Sequence, residues 1–225
     1  MLVERFEYIA LSRKNIDGSR KYLTPDGERL ASVTTVLDRT KPEADRLALE
    51  NWKKAVGEQK AQEICTEAAG RGTRMHKYLE DYILDGELRV PGTNPYAKQA
   101  NKMAGIIIEK GMSQCDEIWG TEVPVYYPGL FAGTTDCVGL FNGEETIIDF
   151  KQSNKVKDES RVQDYYVQLI MYATAHNELH GTNIRQGVIL MCTKDFQYLE
   201  FVLAGEKWDK HEKKMWKRLE EYYEM

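Results

Sequence analysis

The sequence predicts an α/β protein, a mixed β-sheet flanked by helices behind an N-terminal helical elaboration. Three observations lead there. The chain has 225 residues, 42% hydrophobic and 30% charged, which is ordinary for a globular protein and enough to bury a core. Hydrophobic spacing is helical over much of 43–110 and becomes strand-like after Gly111. Beyond Gly111 the pattern reads three strands, helix, two strands, helix.

Phe6 to Leu11 alternates in polarity and predicts a strand. Pro25-Asp26-Gly27 predicts a hairpin turn between Lys21–Thr24 and Glu28–Leu30. Ser32 caps a short helix over SVTTVL. Residues 43–67 predict a helix with Leu47, Leu49, Trp52 and Val56 as apolar candidates, and Thr73 to Leu84 a second one with Met75, Leu79, Tyr82 and Ile83 in a stripe. The prolines and glycines of 86–95 make a loop, and Pro95 to Lys110 a further helix. Strands follow at 118–127, 131–141 and 146–150, then a helix at 160–179 ended by Gly181, strands at 188–192 and 197–203, and a charged helix at 208–223. We expect residues 1–115 to form a hairpin and helical part and 116–225 the core, in one continuous domain.

Composition excludes several classes. No run of apolar residues is long enough for a transmembrane helix, and the N-terminal stretch lacks the apolar core of a signal peptide. The expectation is a soluble protein of a bacterial or phage-infected cytoplasm, with no membrane partner. The net charge of −5 disfavours a sequence-specific nucleic-acid binder but not an enzyme that meets nucleic acid through a metal-filled acidic cleft. Cys65, Cys115, Cys137 and Cys192 have no CxxC spacing, so we expect free thiols and no zinc.

Asn142-Gly143 is the strongest short hairpin signal in the chain. With a two-residue loop, Phe141 faces Glu144, and the same register sets Asp136 opposite Asp149. Side chains alternate, so Lys151 shares the Asp149 face, while Ile148 and Phe150 point into the core. Facing carboxylates destabilise a sheet unless a cation lies between them. A hard divalent ion takes such carboxylates together with water and phosphate. Lys151 adds a fixed positive charge, which completes a set suited to phosphoryl chemistry.

Two helices can face this hairpin. His76 and Glu80 stand one turn apart, and His76 serves either as a third metal ligand or as a surface partner of Glu80. Gln168 and Tyr172 are also one turn apart, in reach of a nucleotide or as part of a half-buried helix. His176-Asn177-Glu178-Leu179-His180 imitates a zinc-protease helix, but Glu178 sits two steps from either histidine and turns away from the ligand face.

Taken in order, GTRMH ending at His76, GTTD ending at Asp136, IIDFK with Asp149 and Lys151, and Gln168-x-x-x-Tyr172 resemble the PD-(D/E)xK nuclease superfamily in its RecB-like branch, most closely its mitochondrial and phage exonucleases. SVTTVL, Trp52 and RGTRMHKYLE add to the likeness, which spans residues 20–203. The resemblance implies a restriction-endonuclease-like core. It implies His76, Asp136, Asp149 and the Phe150 carbonyl as metal ligands and Asp136, Asp149 and Lys151 as catalytic. It implies Gln168, Tyr172, Arg71 and Thr73 as nucleic-acid contacts, the last two near a helix start. Gln152 departs from the small hydroxyl residue frequent at its position. Cys192 alone lies where some relatives hold three cluster-binding cysteines, so no iron–sulfur cluster is expected.

The expected activity is a Mg²⁺- or Mn²⁺-dependent exonuclease acting on DNA with a free single-stranded end. The alternatives are a noncatalytic nucleic-acid-binding module of the same fold and a structure-specific endonuclease.

Overall fold

The structure is a computed structural model and describes residues 2–16 and 19–225. It begins with an extended, irregular segment pinned at Leu2 and Val3 to Ile118, so the strand expected at Phe6–Leu11 is absent. The aromatic residues there pack sideways instead, with Phe6 and Tyr8 against His176 and His180. Strands β1 (Ser12–Ile16), β2 (Ser19–Leu23) and β3 (Arg29–Ser32) form an antiparallel meander. Helix α1 (Val33–Arg39) follows, with the Ser32 side chain accepting from the Thr35 amide as the N-cap.

The helical part is divided differently from the expected 43–67 and 73–84. Gly57, at φ 84°, breaks the chain between α2 (Glu43–Val56) and α3 (Glu58–Asp85). Helix α3 then runs through Gly70 and Gly72 without interruption until Gly86 caps it in the left-handed region. Helix α2 buries none of its residues, and Leu47, Leu49 and Val56 are exposed. Helix α4 (Pro95–Lys110) spans the residues the sequence predicts and begins at an Asn94 cap with proline in its first turn.

The core strands are β4 (Cys115–Tyr127), β5 (Phe131–Phe141) and β6 (Glu144–Ser153). Helix α5 (Gln163–His180), strands β7 (Gln186–Thr193) and β8 (Tyr198–Leu203), and helix α6 (Gly205–Tyr223) complete the chain. All strands join one mixed sheet in the order β1-β2-β3-β5-β6-β7-β8, with β4 also paired to β5. Pairings β3–β5 and β6–β7 are parallel and the rest antiparallel.

Helices cover both faces, which is why β6 and β7 are buried on both sides. On one face Met75, Leu79 and Ile83 of α3 and Met103 and Ile107 of α4 pack on Ile148, Phe150, Val188 and Leu190. On the other, α1, α5 and α6 pack on Val138, Ile147, Ile189 and Met191. Among the described residues no helix is long and apolar enough to cross a membrane.

Candidate metal centre

The site grows from an irregularity of β5. One edge of this strand pairs with β3 at Phe131 and Ala132, and again with β6 from Cys137 to Phe141. Residues 133–136 lie between the two ladders and pair with neither, so a notch opens in the sheet. Tyr172 of α5 fills its floor, and a Cβ on Gly133 would stand 2.6 Å from that ring. A cleft of about 580 Å³ opens above, lined by Arg13, Tyr22, Thr73, His76, Glu122, Asp136 and Tyr172 among others.

The Asn142-Gly143 turn has φ of 51° and 82°, and the register runs Phe141–Glu144 to Cys137–Ile148, as the two-residue loop requires. There the ladder stops. Asp136 does not simply face Asp149, because its Oδ2 accepts the Phe150 amide at 2.8 Å. The next two outward steps of β6 carry Asp149, 2% exposed, and Lys151, whose ammonium ion-pairs with Asp149 Oδ2. That buried oxygen accepts no other hydrogen bond among the described residues. The Lys151 ammonium also lies 5.0 Å from the Tyr165 ring centroid.

Helix α3 brings His76 over the notch, with Nδ1 3.4 Å from Asp136 Oδ1. Glu80, its other candidate partner, pairs with Lys77 instead. Sequence reasoning missed Glu122. On β4 Thr121 pairs with Cys137 and Val123 with Thr135, which sets Glu122 across from Asp136. Its φ of 50° is a left-handed conformation that a glutamate seldom adopts. Ligand atoms of His76, Glu122 and Asp136 lie within 4.8 Å of one another.

The charges of the site act on one another. Burial raises the Asp149 carboxyl to about 6, with Lys151 opposing the rise and Asp136 adding to it. Burial also works against ionised Asp136, but His76 and Lys151 together hold it below its ordinary value. His76 and Lys151 are both raised, since nearby carboxylates outweigh the burial of each cation. Asp136 thus shares His76 with Glu122 and Lys151 with Asp149. A donor set of carboxylate oxygens with a single imidazole and no thiolate fits a hard divalent cation.

The remaining residues singled out in the sequence take different places. Tyr172 is buried, and Gln168 Nε2 donates to its hydroxyl at 3.0 Å. Phe150 packs edge-on to His76 from the core. Arg71 and Thr73 sit in mid-helix, not at a helix start, so no free N-terminal amides stand beside them. Thr73 lines the cleft, whereas Arg71 is buried and bonded to Gln152 and Asn154. His176, of the false protease motif, is buried between the Tyr8 and Thr182 hydroxyls.

No family model matches the chain. Mitochondrial genome maintenance exonuclease 1 of Mus musculus is 27% identical over 211 residues, 87% of this chain and 59% of that protein. The Homo sapiens protein of the same name is 28% identical over 214 residues, 87% of this chain and 58% of its own length. The chain is related to these exonucleases. Its motif order resembles that of the PD-(D/E)xK nucleases, and its fold is a mixed sheet flanked by helices. It spans less than two thirds of the curated relatives it matches. Those relatives are vertebrate mitochondrial proteins and lend no support to a bacterial or phage setting. Among solved structures, an alkaline exonuclease from Laribacter hongkongensis overlaps 67% of this chain and 77% of its own, at 13% identity and a TM-score of 0.37.

Proposed function

We propose that the chain is a divalent-metal-dependent nuclease that hydrolyses DNA from a free, single-stranded end. One observation carries the reading: His76 and Asp136 meet in a cleft beside the stretch of β5 that pairs with neither β3 nor β6, and the ion pair of Asp149 and Lys151 on β6 stands close enough to act on the charge of both. Kinship with named exonucleases supports it.

In this reading His76, Asp136, Asp149 and the Phe150 carbonyl hold Mg²⁺ or Mn²⁺. When bound, that ion polarises a phosphate oxygen and lowers the pKa of a water molecule. The chain's own residues do the rest. The Phe150 amide fixes one oxygen of Asp136, so the carboxylate is aimed before any ligand arrives. Lys151, ion-paired with Asp149, supplies a hydrogen-bond donor and a fixed positive charge. It orients water for attack on phosphorus and offsets charge as the bond to the leaving sugar oxygen breaks. Gln168 and Tyr172 support the floor beneath the strand. Thr73, on the cleft wall, is placed to meet phosphate.

The test is digestion of end-labelled linear single-stranded DNA beside circular single-stranded DNA, with Mg²⁺, Mn²⁺ or EDTA, and with Lys151→Ala in parallel. Metal-dependent loss of the linear strand alone, abolished by the substitution, supports the proposal. Cutting of the circle would make the chain an endonuclease. Binding without cutting under either metal would make it a nucleic-acid-binding module.

A further inference from the structure

Arg71 is 3% exposed, and its guanidinium does not face the cleft. Its Nε donates to Gln152 Oε1 at 3.0 Å and its Nη2 to Asn154 Oδ1. Both acceptors are neutral amides. Its one ion-pair partner among the described residues, Glu67, is exposed and 3.6 Å away on the preceding turn. A guanidinium placed in the interior without a buried acid is costly unless its hydrogen bonds are well made. A fork that grips two side chains of one strand end meets that condition and leaves little freedom between the two elements.

The neighbouring residue acts on the same strand end. A Cβ on Gly72 would stand 3.3 Å from Gln152 Cγ, so the glycine lets α3 approach β6 closely. The strand end is itself held. The Lys194 amide donates to the Ser153 carbonyl at 2.8 Å, and the Ser153 hydroxyl to the Lys155 carbonyl at 2.6 Å. Arg71 therefore joins two stiff bodies. One carries His76, five residues further along α3. The other carries Asp149 and Lys151, the latter immediately before Gln152.

We propose that Arg71 is a positioning residue: its fork onto Gln152 and Asn154 sets His76 at its working place relative to Asp149 and Lys151. The proposal rests on the nuclease reading above. Arg71 acts through geometry, so a lysine, which keeps the charge but not the fork, does not replace it.

The experiment measures Mn²⁺ binding to the full chain by electron paramagnetic resonance, without DNA, for the unsubstituted protein and for Arg71→Lys, Arg71→Gln and Gln152→Ala. Asp149→Asn is the control, and Mn²⁺ titration of DNA cleavage runs alongside. Weakening of Mn²⁺ binding by about tenfold in both Arg71→Lys and Gln152→Ala is expected, as for loss of a residue that orients a metal ligand. Cleavage by both variants should recover to within a few-fold at saturating Mn²⁺. Unchanged Mn²⁺ binding in these two variants overturns the proposal. So does normal binding by Arg71→Lys with weak binding by Arg71→Gln, because charge alone would then suffice. If Arg71→Gln does not fold, Gln152→Ala still decides, since it leaves the arginine in place. If the unsubstituted protein neither binds Mn²⁺ nor cuts DNA, the nuclease reading itself has failed.

Discussion

The Asp136 carboxylate takes the backbone amide of Phe150 at 2.8 Å and so continues by side chain a ladder that ends at Cys137 and Ile148. This bond fixes one oxygen and leaves the other, 3.4 Å from His76 Nδ1, facing the cleft. The two oxygens therefore have separable duties, and substitution can part them.

Asp136→Asn keeps an oxygen for the Phe150 amide but loses the charge. We expect a lower melting temperature than that of the unsubstituted protein in EDTA, because the ionised carboxylate is held by His76 and Lys151. Saturating Mg²⁺ or Mn²⁺ should stabilise the unsubstituted protein by about 2.7 kcal/mol at a hundredfold excess over its dissociation constant, and the variant hardly at all. Thermal melts with and without metal check this, and equal stabilisation of both proteins would remove Asp136 from the ligand set.

Glu122→Gln should move stability and metal affinity in opposite directions. It relieves a carboxylate set across from Asp136, for a gain of about 0.2–1 kcal/mol in EDTA. It also removes a candidate ligand, so the Mg²⁺ needed for half-maximal cleavage should rise. Denaturant unfolding and a metal titration read the two effects. A loss of stability without a change in the titration would leave Glu122 a purely structural residue.

Much of this site was legible in the sequence, but unevenly. Asn142-Gly143 fixes the β5–β6 register locally, so Asp136, Asp149 and Lys151 follow from a two-residue turn. Glu122 does not, because the turn between Tyr127 and Phe131 carries no two-residue hairpin signal to fix the β4–β5 register, and because Glu122 takes a backbone conformation atypical of its residue type. The helices show a second limit. Gly70 and Gly72 resemble punctuation, yet α3 continues through them, since Gly72 serves contact with Gln152. Leu47, Leu49 and Val56 are apolar candidates in a helix, yet they are exposed, because an apolar residue in a helix says nothing of whether a partner surface exists.

Gly133→Ala tests the floor of the notch. The added methyl would meet Cε1 of the buried Tyr172 ring at 2.6 Å and a Val33 methyl at 3.3 Å. Neither can withdraw without disturbing the core, so we expect a loss of about 1–3 kcal/mol in denaturant unfolding. A stability unchanged within error would mean that Tyr172 moves freely.

His176 supplies a pH prediction away from the metal centre. Burial, with His180 nearby, lowers it to about 3. The unfolded chain then takes up a proton near pH 6.5 that the folded chain refuses, so stability falls as pH falls between those values, by about 1.4 kcal/mol per unit. His176→Gln should be less stable at pH 7, having lost its fit between Tyr8 and Thr182. It should nevertheless lose about 2 kcal/mol less than the unsubstituted protein between pH 6.5 and 4.5. His180 and His211, also lowered, remain in both proteins, so the difference isolates His176. Parallel curves would place the pH dependence elsewhere.

The gap in β5 also bears on how the protein is made. One border is Ala31 paired with Phe131, the other Cys137 paired with Ile148, and the floor is Tyr172. During synthesis the meander and the α2–α4 helices emerge well before either border can close. Contacts so distant along the chain also form slowly. A nascent chain can therefore carry a folded-looking N-terminal half while His76 still lacks its carboxylate partner, and the candidate metal centre arises only once β5, β6 and Tyr172 have been made.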